Sequence, residues 1–233
     1  MKIGVPRETA AGERRIALVP ESAKKLVEQG NEVVIEKARS ASVDFPDTAY
    51  VAAGARIAAD AGEVLAGSDL VLKIQPPSEA EIDSLRTGAV LVAILQPFQN
   101  GDTVRRLAEK SVTSFSLDLL PRITRAQAMD VLSSMSTIAG YKGVLIAAAA
   151  LPKMVPLLMT AAGTLKPARF LILGVGVAGL QAIATARRLG AVVEAFDIRP
   201  AVKEQVESLG ARFVAHEAIQ SGGETKGGYA TEL

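Results

Sequence analysis

The sequence predicts an α/β protein made of two open, doubly wound domains. Its first half alternates short apolar, strand-like runs with helix-like segments, which is the pattern of a parallel sheet covered by helices on both faces. Later in the chain, a strand-like run from Phe170 leads into the glycine pattern Gly174-x-Gly176-x-x-Gly179, and the next strand ends at Asp197. Strand, glycine turn, helix, strand and terminal acid in this order predict a Rossmann-type dinucleotide-binding domain.

The first domain is predicted to span residues 1–130. Its strands are expected at Lys2–Val5, Glu32–Glu36, Leu70–Ile74, Val90–Leu95 and Val112–Leu117. A helix is predicted at Pro20–Gln29, because proline is favoured in a first helical turn and Gly30 supplies a stop. A second helix is predicted at Thr103–Lys110, with Asp102 as its N-cap.

Residues 131–165 are predicted to connect the two domains through a long helical stretch that begins near Arg125. The segment Val144–Gly163 is apolar enough to raise the question of a membrane span. Pro152 and Pro156 interrupt it, so it has no uninterrupted apolar run of the roughly 20 residues that a span needs. We therefore expect a buried interdomain helix followed by a second short helix, and no direct membrane insertion.

The glycine pattern predicts how the second domain, residues 166–233, holds a dinucleotide. Gly174 permits the tight turn, Gly176 leaves room for the pyrophosphate, and Gly179 lets the following helix pack closely. That helix begins at Val177, and its first amides and its dipole favour phosphate. Asp197 is expected to accept hydrogen bonds from the adenosine ribose and to repel a 2′-phosphate, which predicts NAD(H) rather than NADP(H).

Arg199 is the one residue near Asp197 that favours NADP(H), because a basic side chain there could accommodate a 2′-phosphate. We favour a solvated residue at the strand end. A helix at Ala201–Leu209 and a strand at Arg212–Val214 complete only one half of a dinucleotide fold. The second domain is therefore expected to be C-terminally truncated.

Composition excludes several classes of function. With 26 basic and 25 acidic residues the formal charge is +1, which gives no basic stripe for nucleic acid. The chain has no cysteine, which excludes disulfides, thiolate nucleophiles and cysteine-ligated metals. A single histidine, His216, excludes a multi-histidine metal site and is assigned no function. We therefore expect no bound metal and no nucleic-acid partner.

Several motifs resemble the alanine dehydrogenase and proton-translocating transhydrogenase superfamily. They are Ile3–Glu8, Glu13–Pro20, Leu72–Pro77, the glycine turn 174–179, and the segments 121–134 and 224–233. Segment 121–134 is similar to a loop of the NAD(H)-binding domain I of NAD(P) transhydrogenase alpha subunits. This branch implies Re/Si-specific hydride transfer between NAD(H) here and NADP(H) on a partner domain, coupled to proton translocation through a membrane domain on other sequence. It also implies homodimers, located in the cytoplasm and peripheral to the inner membrane through partner subunits.

The resemblance assigns catalytic roles to Arg122, Gln127 and Asp130, as a polar cluster that orients the nicotinamide at the cleft between the domains. Gln127 carries a donor and an acceptor on one amide, and Asp130 can anchor the guanidinium of Arg122. Ser133 and Tyr141 are further candidates for the wall of the cofactor site. Without the resemblance, the favoured interpretation of the same segment is a loop and a helix N-cap with solvated charges.

Tyr229 lies between Gly227-Gly228 and a tail of small residues, which is typical of a hinged lid. By its resemblance to the mobile loop of the transhydrogenases, this segment is expected to close over bound nucleotide.

Reaction chemistry separates the two branches of the superfamily. Oxidation of an amino acid releases a proton and needs a positioned acid or base, whereas hydride exchange between two nicotinamides needs only aligned rings and exclusion of water. Gln96 stands where the alanine dehydrogenase pattern has its catalytic histidine, which favours transhydrogenation. Arg15 and Lys73 match substrate-binding positions of the amino-acid enzymes, although inherited scaffold is the favoured interpretation of both. An NAD-dependent dehydrogenase of the alanine or saccharopine type and a non-catalytic NAD(H)-binding module remain open alternatives.

Overall fold

The structure is a computed structural model that describes residues 1–37 and 45–215. The chain divides into two compact units, Met1–Pro121 and Arg122–Leu233. This division lies earlier than the boundary expected at residue 130, and the three-part domain organisation stays a prediction.

The first unit contains a parallel sheet in the doubly wound order. Its strands are β1 (Lys2–Val5), β2 (Glu32–Glu36), β3 (Arg56–Ala58), β4 (Leu70–Leu72), β5 (Val90–Ala93) and β6 (Thr113–Ser116). They form one six-stranded sheet in the order β3-β2-β1-β4-β5-β6, and every neighbouring pair is parallel. The central strands are apolar and buried, as expected where helices cover both faces. The predicted α/β class is therefore confirmed.

In the described residues of the first unit, five α-helices connect these strands. They are α1 (Pro20–Glu28), α2 (Asp47–Ala52), α3 (Ala61–Gly67), α4 (Glu79–Ser84) and α5 (Gly101–Glu109). The sequence prediction contained α1 and α5 but lacked β3 and the three short helices. Asp102 was wrongly predicted as an N-cap: the cap of α5 is Asn100, and the Asp102 carboxylate pairs with Arg105 at 2.8 Å.

The described part of the second unit contains a long helix and a hairpin, followed by a three-stranded sheet with two helices. Its elements are α6 (Val131–Ala150), β7 (Leu158–Thr160), β8 (Gly163–Leu165), β9 (Arg169–Leu173), α7 (Val177–Arg188), β10 (Val192–Phe196), α8 (Lys203–Ser208) and β11 (Arg212–Phe213). Strands β9, β10 and β11 form a parallel sheet in the order β11-β10-β9.

The segment between α6 and β9 differs from its prediction. In place of a second short helix, β7 and β8 form an antiparallel hairpin. Helix α6 is also largely exposed, with only Gly140 and Val144 buried, so the expectation of a buried helix was wrong. The prediction failed because Pro152 and Pro156 mark only where α6 must stop and do not determine the conformation of the residues after it.

Helix α6 is the one helix among the described residues that is long and apolar enough to cross a bilayer by length and composition. Many helices outside membranes meet the same criterion, so this observation is weak by itself. Lys142 lies within the helix, and its Gly140 packs against α7 of the same unit.

Two glycines allow backbones of the second unit to approach closely. A Cβ on Gly140 of α6 would overlap the carbonyl oxygen of Ala178 in α7, and a Cβ on Gly179 would overlap the carbonyl oxygen of Gly174. Neither oxygen can move without shifting its main chain. Helix α7 is therefore held between α6 and the turn after β9 by contacts that only glycine permits.

Two alanine substitutions in α6 test this packing. We expect Gly140→Ala to lower the free energy of unfolding by about 1–3 kcal/mol, because its methyl group overlaps backbone. Gly143→Ala is the matched control, since nothing in the described structure lies within 4 Å of the added carbon. It should raise the same free energy by about 0.5–1 kcal/mol through helix propensity. Urea denaturation measures both, and equal effects of the two substitutions would contradict the packing.

Candidate functional site

The second unit contains a cavity of about 1180 Å³ at the carboxyl ends of β9 and β10. The glycine turn, the end of β10 and one face of α6 surround it. Its volume exceeds the roughly 300–1,000 Å³ of a typical small-molecule site, so it has room for an extended ligand.

The glycine turn shapes the floor of this cavity. Gly174 has a φ of +89°, a left-handed conformation in which a side chain would be strained. Its amide donates to the carbonyl of Phe196 at 2.8 Å, which joins the turn to the end of β10. The chain then reverses so that α7 starts directly over the end of β9.

The N-terminus of α7 can receive an anion. Its N-cap is Gly176, which has no side-chain acceptor for the first amides, and the first hydrogen bond within the helix runs from Leu180 N to Gly176 O at 2.9 Å. The preceding amides have no intrahelical partner, and the helix dipole adds positive potential there. A Cβ on Gly176 would meet no protein atom within 4 Å, so the space beside these amides is open. The residues present therefore fit a pyrophosphate.

Asp197 is already saturated with hydrogen bonds. Its Oδ2 accepts from Val175 N at 2.7 Å and from Arg199 Nη2 at 3.2 Å, while Oδ1 accepts from Arg199 N at 2.8 Å and Nε at 3.0 Å. A carboxylate has about four acceptor sites, so all of them are engaged. Burial by itself raises the pKa of Asp197, but the hydrogen bonds from Arg199 and Val175 outweigh burial and hold that pKa below its ordinary value.

Arg199 is buried, not solvated as the sequence suggested. The residue is 7% exposed, and its guanidinium forms the ion pair with Asp197. Its Nη2 also donates to the carbonyl of Val175 at 3.3 Å. Sequence reasoning missed this role because a basic residue two positions after a strand end gives no indication of where its side chain turns.

Helix α6 supplies a wall of small residues, of which the sequence analysis named only Ser133. The helix residues on that wall include Ser133, Ser136, Gly140, Gly143 and Ala147. Their spacing alternates between three and four positions, which places them on one face of a helix. This pattern was readable from the sequence and could have identified the wall.

The sequence-predicted site residues lie in three different settings. Those that line the cavity are Gly174, Gly176, Val177, Gly179, Asp197, Arg122 and Ser133. Gln127, Asp130 and Tyr141 belong to the same unit but not to the lining. Tyr229 and His216 lie outside the described residues. The proposed roles of all of them stay predictions.

Asp130 caps α6. Its Oδ1 accepts from Ser133 N at 2.9 Å and its Oδ2 from Ser133 Oγ at 2.7 Å. These hydrogen bonds from Ser133, helped by the charge of Arg122, hold the pKa of Asp130 below its ordinary value. Gln127 is exposed on the short 3₁₀ helix that precedes the cap, and its carbonyl accepts from Asp130 N. Asp130 thereby fixes Ser133, and with it the start of the α6 wall.

A second polar cluster belongs to the first unit, after the carboxyl ends of β1 and β4. Lys73 is buried, with its Nζ 2.8 Å from Glu81 Oε1 and 3.4 Å from Glu8 Oε2. Glu8 in turn accepts from the amides of Ile74 at 2.5 Å and Gln75 at 3.3 Å. The positive charge of Lys73 is therefore matched by two carboxylates of the same unit.

Arg15 of this cluster is also paired. Its guanidinium makes a two-point contact with Glu13, at 2.8 Å and 2.5 Å, and Gln75 Nε2 donates to the same carboxylate at 2.6 Å. The hydrogen bond from Arg15 is the largest cause that lowers the pKa of Glu13, to about 2. Among the residues the structure describes, no group of three or more metal-ligating side chains is suited to hold a metal ion.

Gln96 lies at the end of β5 in an unusual backbone conformation. Its φ is +47°, and its side chain is exposed. The Gln96 amide donates to Asp118 Oδ1 at 3.4 Å, and its carbonyl accepts from Asn100 N at 3.0 Å. A glutamine amide does not titrate, so this position supplies no acid or base.

Comparison with known proteins places both units in one group. Residues 4–139 match the family model described as alanine dehydrogenase/PNT, N-terminal domain, and residues 143–226 match the corresponding C-terminal domain. The chain is 48% identical over its whole length to the first polypeptide of the NAD(P) transhydrogenase alpha subunit of Rhodospirillum rubrum and spans 62% of that polypeptide. It is 32% identical, over 84% of its length, to an alanine dehydrogenase of Halomonas elongata and spans 53% of that protein.

A solved structure gives the same result. The crystal structure of a transhydrogenase from Sinorhizobium meliloti matches 93% of this chain, with a TM-score of 0.89 and 47% identity. The chain covers 62% of that structure.

Alanine substitutions at two glycines of the turn test cofactor binding and folding stability separately. We expect Gly176→Ala to leave the melting temperature unchanged but to weaken NADH binding at least about tenfold, because its methyl group occupies the open space beside the α7 amides. Gly179→Ala should instead lower the melting temperature, because its methyl group overlaps the carbonyl of Gly174. NADH fluorescence titration and thermal denaturation measure the two effects. Unchanged NADH affinity in a folded Gly176→Ala variant would show that the pyrophosphate lies elsewhere.

Proposed function

Because the chain belongs to the alanine dehydrogenase/PNT family, we propose that it is the NAD(H)-binding component of a proton-translocating NAD(P) transhydrogenase. It would exchange hydride between its own NAD(H) and NADP(H) held by a partner domain on other sequence, while a membrane domain couples this exchange to proton movement. The observation that carries the proposal is the cavity in which an uncapped helix N-terminus lies beside a buried acid. The likeness to transhydrogenase alpha subunits supports it.

The ionisable groups of the cavity favour hydride exchange over proton chemistry. Among the described lining residues, only Arg122, Asp197 and Arg199 carry titratable side chains. Arginine stays protonated at any physiological pH, and the pKa of Asp197 lies below its ordinary value. None of the three is suited to exchange a proton near neutral pH, as a general acid or base must.

In this proposal the chain binds, orients and shields its cofactor. The α7 amides hold the pyrophosphate, and Gly176 leaves room for it. Arg122 and Ser133, which line the cavity, would orient the nicotinamide end together with Gln127 and Asp130. When bound, the dinucleotide supplies the ring carbon that gives or accepts the hydride. Tyr141 would add to the wall and Tyr229 to a lid that excludes water.

An amino-acid dehydrogenase is the second candidate, favoured by the presence of Arg15 and Lys73. Two observations argue against it. Both cations are already paired with carboxylates of the same unit, and Gln96 cannot supply the acid or base that amino-acid oxidation needs. A non-catalytic NAD(H)-binding module is the third candidate, and it would use the same cavity without turnover.

We further propose that the chain forms homodimers through the β7–β8 hairpin. Leu157, Met159 and Leu165 in and beside this hairpin are 53%, 73% and 56% exposed, and residues 154–165 carry no charged side chain. An isolated two-stranded hairpin is marginally stable in water and gains from packing. A second copy offers the same uncharged surface, as a two-fold symmetric contact requires. The dimer would lie in the cytoplasm, peripheral to the inner membrane through its partner subunits.

Hydride exchange tests the main proposal. Mixed with NADH, a thio analogue of NADP⁺ and the isolated NADP(H)-binding partner, the protein should reduce the analogue, as followed by absorbance. Arg122→Ala should lower the rate by about 100-fold through misorientation of the cofactor. Arg125→Ala, an exposed arginine of the same segment outside the cavity lining, should leave the rate unchanged.

Two outcomes would contradict this proposal. Formation of NADH from NAD⁺ and L-alanine without a partner would identify an amino-acid dehydrogenase. Binding of NADH without exchange in the presence of an active partner would identify a non-catalytic module.

A single charge on the hairpin tests the dimer. We expect Met159→Asp to raise the dimer dissociation constant at least about tenfold, because it buries an unpaired carboxylate in an apolar contact. Leu119→Asp is the control, since Leu119 is also an exposed apolar residue, 50% exposed, but belongs to the first unit. Sedimentation velocity measures the association state. A wild-type protein that is monomeric, or a Met159→Asp variant that stays fully dimeric, would contradict the proposal.

A further inference from the structure

The wall of the cavity continues from Asp197 along the chain into α8. The lining residues beyond the acid include Ile198, Val202 and Gln205. Asp197 is the acid expected at the adenosine ribose, and the base of the dinucleotide is attached to that same ribose. In the proposed binding mode, the lining residues that follow Asp197 are therefore the ones available to the base.

Two of these residues offer the base an apolar surface. Val202 is buried at the end of the short 3₁₀ helix Pro200–Val202, and Ile198 is half-buried. Apolar side chains suit the flat faces of a base, but they do not distinguish one base from another, because every base has such faces. Recognition of a particular base requires a polar group that meets its edge.

Gln205 supplies a polar group of this kind. Its side-chain amide forms no hydrogen bond within the part of the chain that the structure describes, whereas its main-chain carbonyl accepts from Ser208 Oγ at 2.8 Å. The carboxylate of Asp197, in contrast, accepts from both Val175 and Arg199. Gln205 can therefore present an amide donor and an amide acceptor to a ligand at the same time.

The core of the second unit holds Gln205 in its place on the wall. Val206, the next residue, is fully buried and belongs with Val202 to the hydrophobic core of this unit. Val202 and Gln205 are three positions apart, which is the spacing of neighbours on a helical surface, and both line the cavity. An anchored helix thus places the free amide beside the apolar surface.

We propose that Gln205 recognises the adenine base of the dinucleotide at its N6 and N7 atoms. The amide oxygen accepts from the N6 amino group and Nε2 donates to N7, which is the two-point pairing of glutamine with adenine. This inference rests on the proposed binding of NAD(H) and deepens it, because it assigns the residue that selects the base. A base with a carbonyl at C6 presents two acceptors on this edge, so the glutamine oxygen then faces an acceptor with no proton between them.

Deamino-NADH tests this pairing, because it differs from NADH only in carrying hypoxanthine, with a carbonyl at C6, in place of adenine. We expect the full chain to bind NADH at least about fivefold more tightly than deamino-NADH in a titration of nicotinamide fluorescence. Gln205→Met keeps the length of the side chain but removes its donor and acceptor. It should weaken NADH binding so that the ratio of the two dissociation constants falls to about one.

This ratio separates base recognition from a structural role, since loss of a structural contact weakens both dinucleotides equally and leaves the ratio unchanged. Glu204→Met is the matched control, because Glu204 is exposed on the same helix and does not line the cavity. Its ratio should equal that of the wild-type chain. Gln205→Ala repeats the test with a second side chain, and melting temperatures show which variants are folded.

Equal affinity of the wild-type chain for NADH and deamino-NADH overturns the inference, and so does a folded Gln205→Met variant that keeps the wild-type ratio. A wild-type chain that binds neither dinucleotide contradicts the proposed function, and the inference fails with it. The two failures are therefore distinguishable.

Discussion

The close approach of α7 to the turn after β9 is the contact on which the cavity depends. It is possible only because Gly179 has no side chain to meet the Gly174 carbonyl. This approach places the first amides of α7 over the end of the sheet, where the amides and the helix dipole together favour an anion. The same principle recurs at the neighbouring residue of the helix, where Gly140 lets α6 contact Ala178. The need for glycine at the contacts of α7 thus accounts for both the anion site and the position of the α6 wall beside it.

Much of the fold followed from the sequence because parallel sheets have a strong apolar signal. The glycine turn, α7 and β10 were predicted within a residue or so, since Gly174 and Gly190 fix the points at which the chain must turn. The short elements β3, α2, α3 and α4 were missed because each is too brief for a periodic pattern to emerge. The β7–β8 hairpin was missed because each of its strands has only three residues, too few for an alternating pattern to be recognised.

The candidate site was predictable as a set of residue types but not as a set of contacts. The sequence identifies Asp197 because strand ends are readable, yet it cannot show that Arg199 folds back and fills the same carboxylate. It likewise matches Lys73 and Arg15 to substrate-binding positions or to inherited scaffold, but it cannot show that Glu8, Glu81 and Glu13 pair with them. Which partner a charge finds depends on side-chain packing, and residue spacing carries little information about that.

The charged groups of the two units differ in the ligands and reactions that they can support. In the first unit the buried ammonium of Lys73 is held between two carboxylates, and a substrate carboxylate would have to compete with both. Removing such a pair from water is costly, so the arrangement persists only because each charge has its partners. In the second unit the cavity offers uncapped amides, small residues and arginines, which suit phosphate and ribose and are not groups that exchange protons near neutral pH. In the function proposed above, these groups align a hydride carrier and leave proton movement to other sequence.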